Sequence, residues 1–206
     1  MGSVFWLDEI HFKAVDVLAK YNNEFSVGRV EIPIPVEDIL DFMFEVQILL
    51  EHLPADLSGT LRIRERIIEV NRSEPEVRRR FTLGHELGHL VLHCKEGRKR
   101  MFRDRKGHIR EDIQEERLTN KTVPVERGRS KRIESEANVF ASEILMPSTL
   151  VKNTYKGKTK DIDELASTFK VSRLAMEWKL TNLRLVTGKS FYRVIPFYQK
   201  PHQEIT

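Results

Sequence analysis

The residues best suited to chemistry are His85-Glu86-Leu-Gly-His89, the pattern HExxH. Two histidines four positions apart lie one above the other on a helix face. Both imidazoles can then reach one zinc ion at ~2.0–2.1 Å. Glu86 sits on the shoulder of that face. From there it can take a proton from a water on the ion and later return it to a leaving amine. Zinc lowers the pKa of such a water toward ~7, so hydroxide is available at neutral pH. The chemistry indicated is metal-assisted hydrolysis, with His85 and His89 as ligands and Glu86 as base.

A catalytic zinc needs a third protein ligand and an open position. The HExxHxxGxxH arrangement is excluded, because Lys95 stands where its third histidine would be and Leu92 replaces its glycine. Cys94 follows the motif, whereas a deformylase-type site needs its cysteine upstream, and none exists there. His93 lies about two turns beyond His85 and reads as a partly buried polar residue at a helix end. A carboxylate from a second helix remains. Ala137, Phe140 and Ala141 mark the buried face of a helix opening near Glu134. Glu134, three positions before Ala137, projects with that face, and Glu136 is rotated about 100° from it. The spacing prefers Glu134 and holds Glu136 in reserve.

The elements that must position these residues follow from periodicity. Leu7, Ile10, Ala14, Val17, Leu18 and Tyr21 predict an amphipathic helix over 6–22. Glu31 to Pro35 is extended, because each proline holds its predecessor out of the helical region. A short helix over about 36–44 follows, and Glu45 to Glu51 either continues it or forms a strand, which the alternation of Val46, Ile48 and Leu50 favours. Residues 54–59 form a turn cluster, and Thr60–Arg64 and Arg66–Asn71 form a hairpin with one solvated face. A helix runs from Ser73-Glu-Pro75 to about His93 and carries the motif. Residues 95–132 read as a long charged loop with at most one short strand or helix. A second strong helix covers 131–145 and stops at Met146-Pro147. Asp161 or Asp163 caps a helix to Phe169, and Ser172 caps another to about Leu183. Phe191–Tyr198 reads as a strand.

Composition narrows the function classes. The chain has 206 residues, 40% hydrophobic and 32% charged, with a mean hydropathy of −0.43. That suits one domain, or one domain with a small appendage. No run of 18 apolar residues occurs, so no ordinary membrane span is expected. The N-terminal residues lack a basic stretch followed by an apolar run, so no secretory signal is expected. One cysteine makes no internal disulfide, and the simplest setting is the reducing cytoplasm. Net charge is +4. Residues 95–132 hold 14 Lys/Arg against 7 Asp/Glu, and the rest of the chain has 21 against 24, so one segment carries the whole excess.

Arg80-Phe-Thr-Leu-Gly-His-Glu-Leu-Gly-His-Leu-Val-Leu-His93 and Glu134-x-Glu-Ala-Asn-x-Phe-Ala-x-Glu-Ile-Leu-Met-Pro147 resemble the ImmA/IrrE family of bacterial zinc metallopeptidases. Pro33-x-Pro35, Leu57-Ser-Gly59 and Val70-Asn71 fit the same pattern, and the resemblance spans roughly 31–185. It implies a gluzincin-like site, with one Zn2+ per chain held by His85, His89 and Glu134, and Glu86 as catalytic base. It also implies a cytoplasmic enzyme. Several family members cut, or are proposed to cut, a helix-turn-helix repressor encoded nearby, which derepresses mobile-element or stress genes. Gly84 stands where the family often has alanine, and segment 95–132 is longer than in many members.

Residues 163–176 resemble a helix-turn-helix, with Ser172 capping its second helix. Arg173, Glu177 and Lys179 are expected on the exposed side of that helix, a weak set for phosphate binding. Two packed amphipathic helices account for the pattern, and DNA binding is not favoured. The basic run, with Phe102 alone available for stacking, supports single-strand binding poorly and reads as a solvated loop near the site. For the oxyanion of peptide hydrolysis, His93, Arg80, Tyr155 and His108 qualify by type only.

The expected fold is α+β. A small twisted sheet packs on the HExxH helix in a zincin-like domain over 1–155. A helix-turn-helix-like pair and terminal strand follow over 156–206. The expected function is zinc-dependent cleavage of a regulatory protein, a helix-turn-helix repressor by resemblance, with no membrane partner. A DNA- or repressor-binding regulator with a little-used peptidase fold is the alternative.

Overall fold

The computed structural model describes residues 7–25, 31–94, 101–105 and 125–186. Helix α1 (Leu7–Glu24) buries Ile10, Ala14, Val17 and Leu18, the stripe its spacing predicts. Pro35 stands at the start of α2 (Val36–Asp38), which continues as a π-helical turn over Ile39–Met43. Strands β1 (Gln47–Glu51), β2 (Leu57–Arg62) and β3 (Ile67–Asn71) follow. Strand β2 starts at Leu57, inside the segment expected to be a turn. The hairpin turn is Ile63–Arg66, with Arg66 in the left-handed region at φ 53°.

Helix α3 (Glu76–Gly88) runs on as a π-helical turn over His89–His93. Strand β4 (Met101–Arg105) lies within the basic segment. Helix α4 (Val125–Leu145) starts six residues before the expected position, so 125–130 are helix and not loop. Helix α5 (Ser148–Gly157) was not anticipated. Pro147 stands at its N-terminus, and Val151 and Thr154 are its buried residues. Helices α6 (Ile162–Phe169) and α7 (Arg173–Asn182) are capped by Asp161 and Ser172 as expected. The strand expected at 191–198 lies outside the described residues.

The protein is α+β, with a four-stranded mixed sheet in the order β1-β3-β2-β4. Strand β3 is parallel to β1 and antiparallel to β2, and β4 is antiparallel to β2. The register sets Ile48, Ile68, Leu61 and Phe102 in one row, with Val70, Gly59 and Asp104 in the next. Alternation of side chains puts both rows on one face, and that face packs on α3. The opposite face carries Arg62 paired with Glu69. Helix α4 covers α3 from the other side and also touches α1.

Two glycines allow these close approaches. A Cβ at Gly59 would stand 2.4 Å from Thr82 Cγ2, and one at Gly88 would stand 3.1 Å from the Ala137 backbone. At Gly84 the nearest atoms would be 3.4 Å away, an ordinary contact, so alanine fits there. Helix α7 is tied to α4 by Lys179, whose Nζ donates to Glu143 Oε1 at 2.7 Å. Lys179 is only 1% exposed, which corrects its expected place on the outer side of the helix. Arg173 and Glu177 are exposed. No helix among the described residues is long and apolar enough to cross a membrane.

Candidate metal centre

His85 and Glu86 lie in the last turn of α3, and His89 opens the π-helical turn that follows. Glu134 projects from α4 onto the same point. His85 Nε2 is 3.0 Å from His89 Nε2 and 3.2 Å from Glu134 Oε2, and His89 Nε2 is 3.5 Å from that same oxygen. Three donors on a tetrahedral ion at ~2.0–2.1 Å would be ~3.3 Å apart. The three side chains therefore have the spacing of a group that could hold a metal ion. Two imidazole nitrogens and one carboxylate oxygen are a donor set that suits zinc.

The electrostatics ask for a positive charge at that point. Burial would raise the Glu134 carboxyl, but hydrogen bonds from His85 and His89 outweigh it and hold it well below the usual range. Burial alone would lower His85. The negative charge of Asp104 and the bond to Glu134 outweigh it, so the imidazole is raised to about 9. His89 is lowered to about 3, with burial the main cause.

Glu86 is fully buried, and neither carboxylate oxygen has a hydrogen-bond partner among the described residues. Burial raises it to about 8, against the lowering pull of His85. Unpartnered buried carboxylates are costly. An orphan beside a three-donor cluster has the place of a group that serves a reacting proton. Glu86 faces β2, with Oε1 3.8 Å from where a Cβ on Gly59 would be.

The surrounding shell holds residues that sequence reasoning passed over. His85 Nδ1 pairs with Asn138 Oδ1 at 2.8 Å, and Asn138 is one helical turn beyond Glu134 on α4. That i, i+4 spacing was the available signal. The ring of Phe102, on β4, stacks on His89 with centroids 3.9 Å apart and planes 15° apart. Asp104, 5% exposed, accepts from Thr82 Oγ1 at 3.1 Å and from Arg78 at 3.1 Å. No local pattern marked either β4 residue.

Glu136 points elsewhere than Glu134. Its Oε2 meets His93 Nε2 at 2.9 Å, and His93 Nδ1 meets His89 Nδ1 at 3.1 Å. The residue held in reserve as a ligand is thus outside the three-donor cluster. Of the oxyanion candidates, Arg80 is tied to Glu37 and to the Ile34 carbonyl, and Tyr155 donates to the Leu185 carbonyl at 3.2 Å. His93 stands behind His89, and His108 lies outside the described residues. A separate cavity of about 310 Å3, lined in part by Thr60, Glu69, Met101 and Arg103, opens on the sheet face turned away from α3.

Fold and site together define an α+β protein with a His-His-Glu group on two packed helices. Residues 43–121 and 126–181 match the model of the family Peptidase_M78, described as the IrrE N-terminal-like domain, and the chain belongs to that family. A solved structure named "Mycobacterium tuberculosis transcriptional regulator" is similar to it, with a TM-score of 0.56 and 18% identity. The likeness covers 85% of this chain but 48% of that one, so this chain spans about half that protein's length and shares its fold. No curated protein sequence matches the chain.

Proposed function

We propose that this protein is a zinc-dependent endopeptidase acting on a regulatory protein, with His85, His89 and Glu134 holding the ion and Glu86 as the base. The observation that carries the reading is the orphaned Glu86 carboxyl beside three convergent donors. One zinc held there supplies a Lewis acid that polarises a carbonyl and acidifies water. Glu86 holds the proton released by the attacking water and passes it to the leaving amine. Asn138 orients the His85 ring, and Phe102 walls the His89 ring against rotation. A zincin-like arrangement of sheet and HExxH helix is the corresponding fold reading.

A helix-turn-helix repressor is the proposed substrate, on the strength of the family resemblance, and a cytoplasmic site of action goes with it. The alternative is a regulator that binds DNA or a repressor without cutting. It gains nothing from α7, where Lys179 is buried against Glu143 instead of facing outward.

The first test is zinc content by elemental analysis on wild type, Glu134→Ala and Glu136→Ala. The proposal expects about one ion per chain, lost with Glu134→Ala. Glu86→Gln then separates enzyme from regulator, because it should keep zinc and partner binding while cleavage falls by roughly 10²–10⁴-fold. Zinc unaffected by Glu134→Ala would sink the assigned site.

A further inference from the structure

We propose that the outer side of helix α5 and the turn after it form a sequence-independent contact for the phosphate backbone of duplex DNA, carried by Lys152, Lys156, Lys158 and Lys160. This surface is separate from the candidate metal centre, and the inference does not depend on that reading.

A count over the whole chain hides this charge. Outside 95–132 acids outnumber bases, yet residues 148–160 hold four lysines and no Asp or Glu. Val151 and Thr154 are the buried residues of α5. Thr149, Lys152, Asn153 and Lys156 recur at i, i+3, i+4 and i+7, so they share the opposite side of the helix, and all four are exposed. Lys158 and Lys160 are exposed just beyond the helix end.

Other exposed cations meet acids. Lys20 pairs with Asp16, Lys170 with Glu76 and Arg173 with Asp163. None of the four lysines has a carboxylate partner among the described residues. Asp161, the next acid along the chain, accepts from the amides of Asp163 and Glu164. Lys152 and Lys156 are like charges one turn apart, an arrangement that costs helix stability. Burial lowers the Lys179 ammonium, and the charge of Lys152 adds to that lowering against the pull of Glu143. A bound polyanion relieves both repulsions.

Composition chooses the polyanion. Protein interfaces are poor in lysine and are built on aromatic or other apolar anchors. None of the large apolar side chains left exposed among the described residues lies between 148 and 160. Tyr155 is the one aromatic residue of that segment, and its hydroxyl is engaged by the Leu185 carbonyl. Single strands need exposed rings on which bases stack, and this surface offers none. Lysine, asparagine and threonine are residue types that contact phosphates, and attraction to the duplex backbone needs charge alone. The surface therefore fits a duplex held by its phosphates and not read by its bases.

The test is binding of the full chain to a short fluorescein-labelled duplex, read by anisotropy from about 50 to 200 mM salt. Wild type should bind with a Kd of roughly 10⁻⁴–10⁻⁶ M at physiological salt, and duplexes of unrelated sequence should bind alike. Each lysine on a phosphate contributes about 0.9 to the slope of log K against log salt. Lys152→Gln and Lys156→Gln should each lower that slope by about 1. Changing Lys152, Lys156, Lys158 and Lys160 together to glutamine should lower it by about 3–4. Lys20→Gln and Lys170→Gln, at paired cations, should leave it unchanged. Melting curves confirm folding, and the two single variants decide the matter if the fourfold one does not fold. Absence of duplex binding, a slope unchanged in the single variants, or discrimination between unrelated duplexes would overturn the proposal. Tighter binding of a labelled poly-glutamate of equal charge would overturn it in favour of an acidic protein partner.

Discussion

The ring of Phe102 lies nearly parallel to the ring of His89, with centroids 3.9 Å apart. Strand β4 thus presses an aromatic face on a histidine of the HExxH helix, thirteen residues beyond it in the chain. Phe102 is 3% exposed and packs in the main core. Phe102→Ala should cost about 3–5 kcal/mol of stability, read by denaturant unfolding, and should weaken zinc binding as the His89 ring gains freedom. Phe102→Leu should be milder in both. Unchanged zinc affinity in a folded Phe102→Ala protein would show that the stack serves packing alone.

Gly59 is required by the approach of β2 to α3. Gly59→Ala would put a methyl 2.4 Å from Thr82 Cγ2 and 3.1 Å from the Glu69 carbonyl. Overpacking of this kind costs about 1–3 kcal/mol. Thr82→Ser removes the clashing methyl and keeps the hydroxyl that donates to Asp104. The double variant should therefore recover part of the loss, a coupling that a double-mutant cycle measures. Strict additivity would argue against the contact.

The buried pair Lys179–Glu143 ties α7 to α4. Removing one member strands the other charge, which typically costs about 3–5 kcal/mol. Lys179→Ala should show a loss near the lower end of that range, because Glu143 keeps His11 and Ser148. An apolar pair, Lys179→Met with Glu143→Leu, should be closer to wild type than Lys179→Ala. Chemical denaturation decides it.

Glu143 also gives a pH dependence with a definite sign. Burial would raise it, but the His11 bond and Lys179 outweigh this and lower it from 4.5 to about 2. A carboxyl lowered by folding contributes stability above its unfolded value, and the contribution is lost as pH falls through the folded value. The wild type should therefore lose stability relative to Glu143→Gln on acidification from about 4.5 toward 2. Parallel pH profiles for the two proteins would contradict the assignment.

His11 should act in the opposite direction. The hydrogen bond to Glu143 is the main reason it is raised above 6.5. Its contribution is present below 6.5 and is lost as pH rises through the raised value. Unfolding of wild type against His11→Gln over about pH 5 to 8 should show the wild-type advantage shrinking as pH rises. The magnitude should be small, since the His11 side chain is 47% exposed.

Much of the site was legible because it is local. His85, Glu86 and His89 fall within five residues of one helix, and Glu134 shares a face with Ala137. Asn138 was legible by the same rule, as the residue one turn past Glu134. The misreadings have a common cause in contacts between distant segments. Lys179 looked like a solvent-facing charge, although it is three residues past the buried Met176 and shares its side of α7. Only its partner Glu143, 36 residues away, makes burial tolerable. Segment 125–130 looked like loop because its charges hid the start of α4.

The amino-acid order alone determined the HExxH stripe, the cap at Ser172, and the inward row of the hairpin. Helical and strand periods fix those relations within a few residues. The tertiary structure decided which of Glu134 and Glu136 meets the two histidines and what the other one does. It also decided that Phe102 and Asp104 come to the site from β4. Those outcomes depend on how α3, α4 and the sheet cross, and that is set by packing over many residues at Gly59 and Gly88.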